Sequence, residues 1–137
     1  MGRIVVGVDG SNSSRNALRW AAGEAEQTGA DLQVVMTWHN PYPDLWIPHD
    51  PSGTKPLELI GRTLERIVKE VLGDHPAVKV EASALEGPAA RVLIETAKGA
   101  DLLVVGNRGL SGFVEVLLGS VTLHCVSHAP CPVVVVR

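Results

Sequence analysis

Short runs of β-branched and aliphatic residues alternate with longer stretches of helical periodicity along the whole 137-residue chain. The strand-like runs fall at residues 3–8, 32–37, 78–85, 101–106 and 132–136. Between them, apolar residues recur at helical steps, as in Leu57, Ile60, Leu64, Ile67, Val68 and Val71. Helices are expected over residues 14–28, 57–72, from Gly87-Pro88 onward, and 119–127. This alternation predicts parallel strands joined by helical crossovers. Right-handed crossovers that cover both faces make a doubly wound α/β sheet of five strands and four helices, Rossmann-like in plan. The nearly unbroken apolar run at 3–8 suits a strand covered on both faces. The alternating run at 78–85 suits one nearer a sheet edge. Spacing alone leaves the strand order open. Residues 1–137 are expected to form one domain, with no linker or internal repeat.

Composition narrows the function classes. Apolar residues make up 45% and charged residues 20%, which is a globular rather than a disordered balance. The net charge is −3 with no basic run, so no nucleic-acid partner is expected. No apolar stretch reaches the ~20 residues of a membrane helix, and the first residues lack the core of a signal peptide. A cytoplasmic protein is expected, with Cys125 and Cys131 as reduced thiols that form no redox or zinc motif.

In open α/β sheets, ligands bind beyond the carboxyl ends of the strands, where the strand order reverses. Three segments there carry polar or glycine-rich chemistry: residues 7–10, 37–39 and 106–109. The third opens a stretch reading Gly106-Asn107-Arg108-Gly109-Leu110-Ser111-Gly112, followed later by Gly119-Ser120-Val121-Thr122. Glycine permits positive φ and close approach of the backbone to a ligand. Consecutive free N–H groups can form an anion nest. Gly119-Ser120 stands where a helix begins, and free amides at that end favour phosphate. The Ser120 hydroxyl and the Arg108 guanidinium can add a donor and a charge. Neither a Walker A loop nor a dinucleotide GxGxxG follows the first strand. The residues alone indicate an anion site at a strand–helix junction, or a tight loop that only needs glycine to turn.

The spacing Gly106-x2-Gly109-x9-Gly119-Ser120 resembles the signature of the universal stress protein family. The resemblance extends to the opening IVVGVDGS (residues 4–11) and the closing CPVVVVR (residues 131–137), so it covers nearly the whole chain. It implies strand order 3-2-1-4-5 and a homodimer built on the last strand. It also implies ATP binding, with magnesium carried in on the phosphates. By resemblance, Gly106, Gly109, Gly112, Gly119 and Ser120 form the phosphate cradle, with Arg108, Val121 and Thr122 adding contacts. Asp9 is the implied nucleotide-contacting aspartate. Gly7 would lie beside the base, and Thr37 would offer main-chain groups to adenine. AMP and cyclic AMP present similar anionic oxygens and remain alternatives to ATP. So do a slow ATPase and a nucleotide-free dimer, but no general base beyond Asp9 stands out, and binding rather than turnover is expected.

Other residues admit plainer readings. Asp9-Gly10-Ser11 also reads as an Asx-turn or helix cap. His124 and His128 are four apart and share a helix face, but position 125 is Cys where HExxH has Glu. No metal site is expected. Trp38, Tyr42 and Trp46, with His39 and His49, cluster in a long segment at 38–56 that suits either a lid or a loop packed onto the surface.

Overall fold

The computed structural model describes residues 2–39, 55–108 and 118–137. Nine elements follow in order: β1 (Arg3–Gly7), α1 (Asn12–Thr28), β2 (Asp31–Trp38), α2 (Pro56–Leu72), β3 (Val80–Glu86), α3 (Ala89–Thr96), β4 (Leu102–Gly106), α4 (Ser120–His128) and β5 (Val133–Val136). The strands form one parallel sheet in the order β3-β2-β1-β4-β5. This is the doubly wound arrangement expected from the alternation, with the order implied by the resemblance.

Period-2 alternation explains why both faces need cover. Ile4, Val6, Leu32, Val34 and Val104 point to one face, where Leu18 of α1 and Ile67 of α2 close over them. Val5, Val35, Leu103 and Val105 point to the other, beneath Leu93 of α3 and Cys125 of α4. The central strand β1 is accordingly buried over Ile4, Val5 and Val6. The edge strands are not: no residue of β3 is fully buried, and all four valines of β5 are half-buried. Val133 pairs with Leu103 and Val136 with Gly106, which leaves the other side of β5 without a strand among the described residues.

Helix ends follow local chemistry. α1 starts two residues before the expected Ser14 because Ser11 is its N-cap, accepting a hydrogen bond from the Ser14 amide. It stops at Gly29, whose φ of 74° is the left-handed conformation that glycine supplies cheaply. α2 begins with Pro56, where a missing N–H costs nothing. α4 spans Ser120–His128, with Gly119 outside it as the N-cap. Tyr42, Trp46, His49, Gly109 and Gly112 lie outside the described residues. Among the described residues no helix is long and apolar enough to cross a membrane.

Candidate anion and nucleotide site at the switch point

β1 pairs with β2 on one side and β4 on the other, and the chain crosses between these two directions after β3. A cleft of about 140 Å³ opens at the carboxyl ends of these three strands. From β1 and its turn come Gly7, Val8 and Asp9; from β2, Val35 and Thr37; from β4, Val105 and Gly106. Arg108 and the first turn of α4, Gly119 to Thr122, close the polar end. Every expected site residue within the described part of the chain therefore lines one space. Ala89 and Leu93 of α3 supply an apolar wall that motif reading missed. The available signal was Gly87-Pro88, which starts α3 at the same end of the sheet.

The glycine-rich stretches meet through two backbone bonds. The Gly119 amide donates to the Asn107 carbonyl at 2.7 Å, and the Asn107 amide donates to the Val136 carbonyl at 2.8 Å. Both amides are thus used within the protein and are not free for an anion. The open donors lie one residue on. Ser120, Val121 and Thr122 are the first three residues of α4, where amides have no intrahelical carbonyl to reach. No hydrogen bond from these amides exists among the described residues, and Gly119 brings no side chain to cap them. The helix dipole adds to their pull on an anion.

Glycine serves differently from the expectation. Neither Gly106 nor Gly119 adopts positive φ; Gly119 has φ −69° and ψ 161°. At Gly106 the constraint is proximity: a Cβ there would lie 2.8 Å from the Ser14 backbone nitrogen and 2.6 Å from the Ser13 Oγ. Only glycine lets β4 end against the start of α1. The contact is sealed by the Ser13 hydroxyl, which donates to the Arg108 carbonyl at 2.6 Å. A Cβ at Gly7 would meet the Leu93 side chain at 2.9 Å, so the apolar wall packs directly on this backbone.

The polar side chains divide into anchors and open groups. The Thr122 hydroxyl is buried and donates to the Gly106 carbonyl at 2.6 Å, so its proton ties α4 to β4 and only the amide faces outward duty. One Asp9 oxygen accepts from the Ser11 amide at 2.9 Å, which is the Asx-turn, while the residue still lines the cleft. Arg108 is exposed at the rim. Below α4, burial pushes the Cys125 thiol up to about 11, so it stays protonated and inert.

Thr37 contributes main-chain groups. The Leu32 amide and the Trp38 carbonyl bond toward β3, so even-numbered residues of β2 face that strand. Val35 faces β1, accepting from the Val8 amide at 2.9 Å. Thr37 faces the same way, but β1 has already turned off, and its N–H and C=O point into the cleft without a strand partner among the described residues.

A doubly wound parallel α/β sheet, with a cleft at its switch point and a helix start there that carries no side-chain cap, defines the architectural class. More specifically, the chain belongs to the universal stress protein family, whose model matches residues 1–137. A universal stress protein of Mycolicibacterium smegmatis is 34% identical over 98% of this chain and 47% of its own length. The chain spans about half the length of this and other curated relatives it matches. UspA from Lactobacillus plantarum superposes with a TM-score of 0.80 at 23% identity, over 99% of this chain and 97% of that one. A universal stress protein solved in complex with cAMP is 30% identical, with a TM-score of 0.69 over 99% of this chain and 96% of that one.

Proposed function

We propose that this chain binds an adenine nucleotide in the switch-point cleft, with its phosphates on the first turn of α4. The observation that carries the reading is the set of three amides, at Ser120, Val121 and Thr122, that have no partner among the described residues and line the cleft that Thr37 and the apolar wall also line. The chemistry matches end for end. Thr37 offers an adjacent donor and acceptor, complementary to the N1 and N6 edge of adenine. Val35, Leu93 and Val105 offer apolar surface to the faces of the base. Asp9, with one oxygen held by the Ser11 amide, offers an acceptor to a ribose hydroxyl. The relative bound to cAMP supports the same ligand class.

Within that class we assign ATP, with magnesium held mainly by phosphate and water oxygens. Arg108 at the rim is the cation that a longer phosphate chain would meet, and the family resemblance assigns Gly109 and Gly112 to the same cradle. The reading includes a homodimer through β5, whose outer edge has no strand against it among the described residues and which pairing with a second copy would cover. Sedimentation of the intact chain as a monomer at tens of micromolar would remove that part.

Titration calorimetry with ATP, AMP, cyclic AMP and adenosine tests the core. ATP should bind most tightly, and adenosine, which lacks phosphate, at least 100-fold more weakly than AMP. Equal affinity for adenosine and AMP would show that the α4 amides do not hold the phosphate.

A further inference from the structure

The other end of α4 carries a second constellation. His124 and His128 are both exposed, with ring centroids 4.6 Å apart and planes tilted by 38°. The Nδ1 atom of His128 lies 3.2 Å from the His124 carbonyl oxygen. A carbonyl oxygen only accepts, so a hydrogen bond here uses the neutral tautomer with hydrogen on Nδ1, the one that leaves the Nε2 lone pair available to a metal ion. An imidazole whose other N–H is tied to a backbone carbonyl is in the state, and held in the orientation, of a metal ligand.

We propose that His124 and His128 form a bidentate surface site for a divalent transition-metal ion, with Cu²⁺ preferred. The spacing fits. With metal–nitrogen bonds of about 2.0–2.1 Å, each ring centroid lies about 3.2 Å from the ion, and ligand angles of roughly 90° to 109° set the centroids about 4.5 to 5.2 Å apart. The observed 4.6 Å lies within that range. Among the divalent first-row ions, Cu²⁺ binds nitrogen ligands most tightly. The position is electrostatically favourable, because His128 is the last residue of α4 and a helix C-terminus attracts cations.

The site is a two-ligand chelate and not a catalytic zinc centre. Cys125, where HExxH would carry glutamate, is buried against the sheet. Among the described residues no group of three or more His, Cys, Asp or Glu side chains gathers to complete a cage. Water fills the remaining coordination positions.

The test uses the full chain, stripped with EDTA and titrated with CuCl₂, NiCl₂ and ZnCl₂ by calorimetry. One Cu²⁺ per chain should bind, at least tenfold more tightly than Zn²⁺. His124→Ala and His128→Ala should each weaken Cu²⁺ at least tenfold, while His75→Ala leaves it unchanged. Unaltered Cu²⁺ affinity in the double variant would overturn the proposal. The wild-type 1:1 Cu²⁺ adduct provides a check that needs no variant: its electron paramagnetic resonance spectrum should show two coupled imidazole nitrogens, and one nitrogen would rule out the chelate.

Discussion

Two helices, α1 and α4, begin at the same edge of the sheet, each the next element after a strand that borders the cleft, and their first turns differ in how they are capped. α1 caps its own end with side chains, although only its third amide, that of Ser14, is satisfied, and the Asn12 and Ser13 amides have no partner among the described residues. Ser11 accepts from the Ser14 amide at 3.3 Å, the Ser14 hydroxyl donates to the Ser11 carbonyl at 2.9 Å, and Asp9 receives the Ser11 amide. α4 begins with glycine as its cap and leaves three amides without a partner among the described residues. A glycine cap costs only a few tenths of a kcal/mol relative to serine or aspartate. The small sacrifice in helix stability leaves a charged ligand's worth of donors exposed. The difference teaches that a helix start becomes an anion site by what its cap omits, more than by dipole alone, since both helices have the dipole.

The sharpest way to break the contrast is to give α4 the cap that α1 has. Gly119 already has the extended φ and ψ of an N-cap, so Gly119→Asp requires no backbone change there. The new carboxylate would accept from the Val121 and Thr122 amides and place negative charge where phosphate is assigned. AMP and ATP affinity should fall at least 100-fold in calorimetry. Thermal stability should stay level or rise by a few tenths of a kcal/mol. Retained nucleotide affinity in a folded variant would relocate the phosphates elsewhere.

The second test separates the amide of Thr122 from its hydroxyl. Thr122→Val keeps the backbone donor and the shape but removes the bond to the Gly106 carbonyl, leaving that acceptor without its donor. An acceptor left unpaired in a buried place costs about 1–3 kcal/mol. Denaturant melts should show that loss, with AMP affinity changed less than threefold. A large loss of affinity at unchanged stability would mean that the hydroxyl, and not the amide, meets the ligand.

The layers of the fold were legible because each rests on local pattern. Valine-rich runs and the three-and-four spacing of Leu57 to Val71 are visible in any short window. The order β3-β2-β1-β4-β5 was not, since no short window encodes which strand lies beside β1; family resemblance supplied it. The residues of the cleft were legible as neighbours, and the part some of them play in the fold was misread. Gly106 carries no positive φ and is glycine because Ser13 and Ser14 press on it from 93 and 92 positions earlier in the chain. The inward use of the Thr122 hydroxyl is hidden for the same reason: its acceptor lies 16 residues away and is fixed only by the packed sheet. The start of α1 was misplaced because Asp9-Gly10-Ser11-Asn12-Ser13 offers several capping side chains, and only the folded turn selects Ser11. Contacts close in sequence leave a spacing signature, whereas contacts made by tertiary approach leave only a residue type.

The mildest test works on the closed end. Ser11→Ala removes the α1 cap and the weak 3.3 Å bond from the Ser11 hydroxyl to the Arg108 carbonyl. Loss of a serine cap costs typically ~1 kcal/mol, in a range of about 0.5–2. The stronger tie between α1 and the root of the glycine loop, from Ser13 at 2.6 Å, remains in place. Chemical melts should therefore record a stability loss near 1 kcal/mol, while AMP affinity changes less than twofold. Uncapping α1 should not create a second anion site either, because Asp9 still holds its carboxylate against the Ser11 amide and repels negative charge. Calorimetry that found two phosphate equivalents on Ser11→Ala would show that the cap alone had kept α1 closed, and that the aspartate beside it contributes nothing to the difference between the two helix ends.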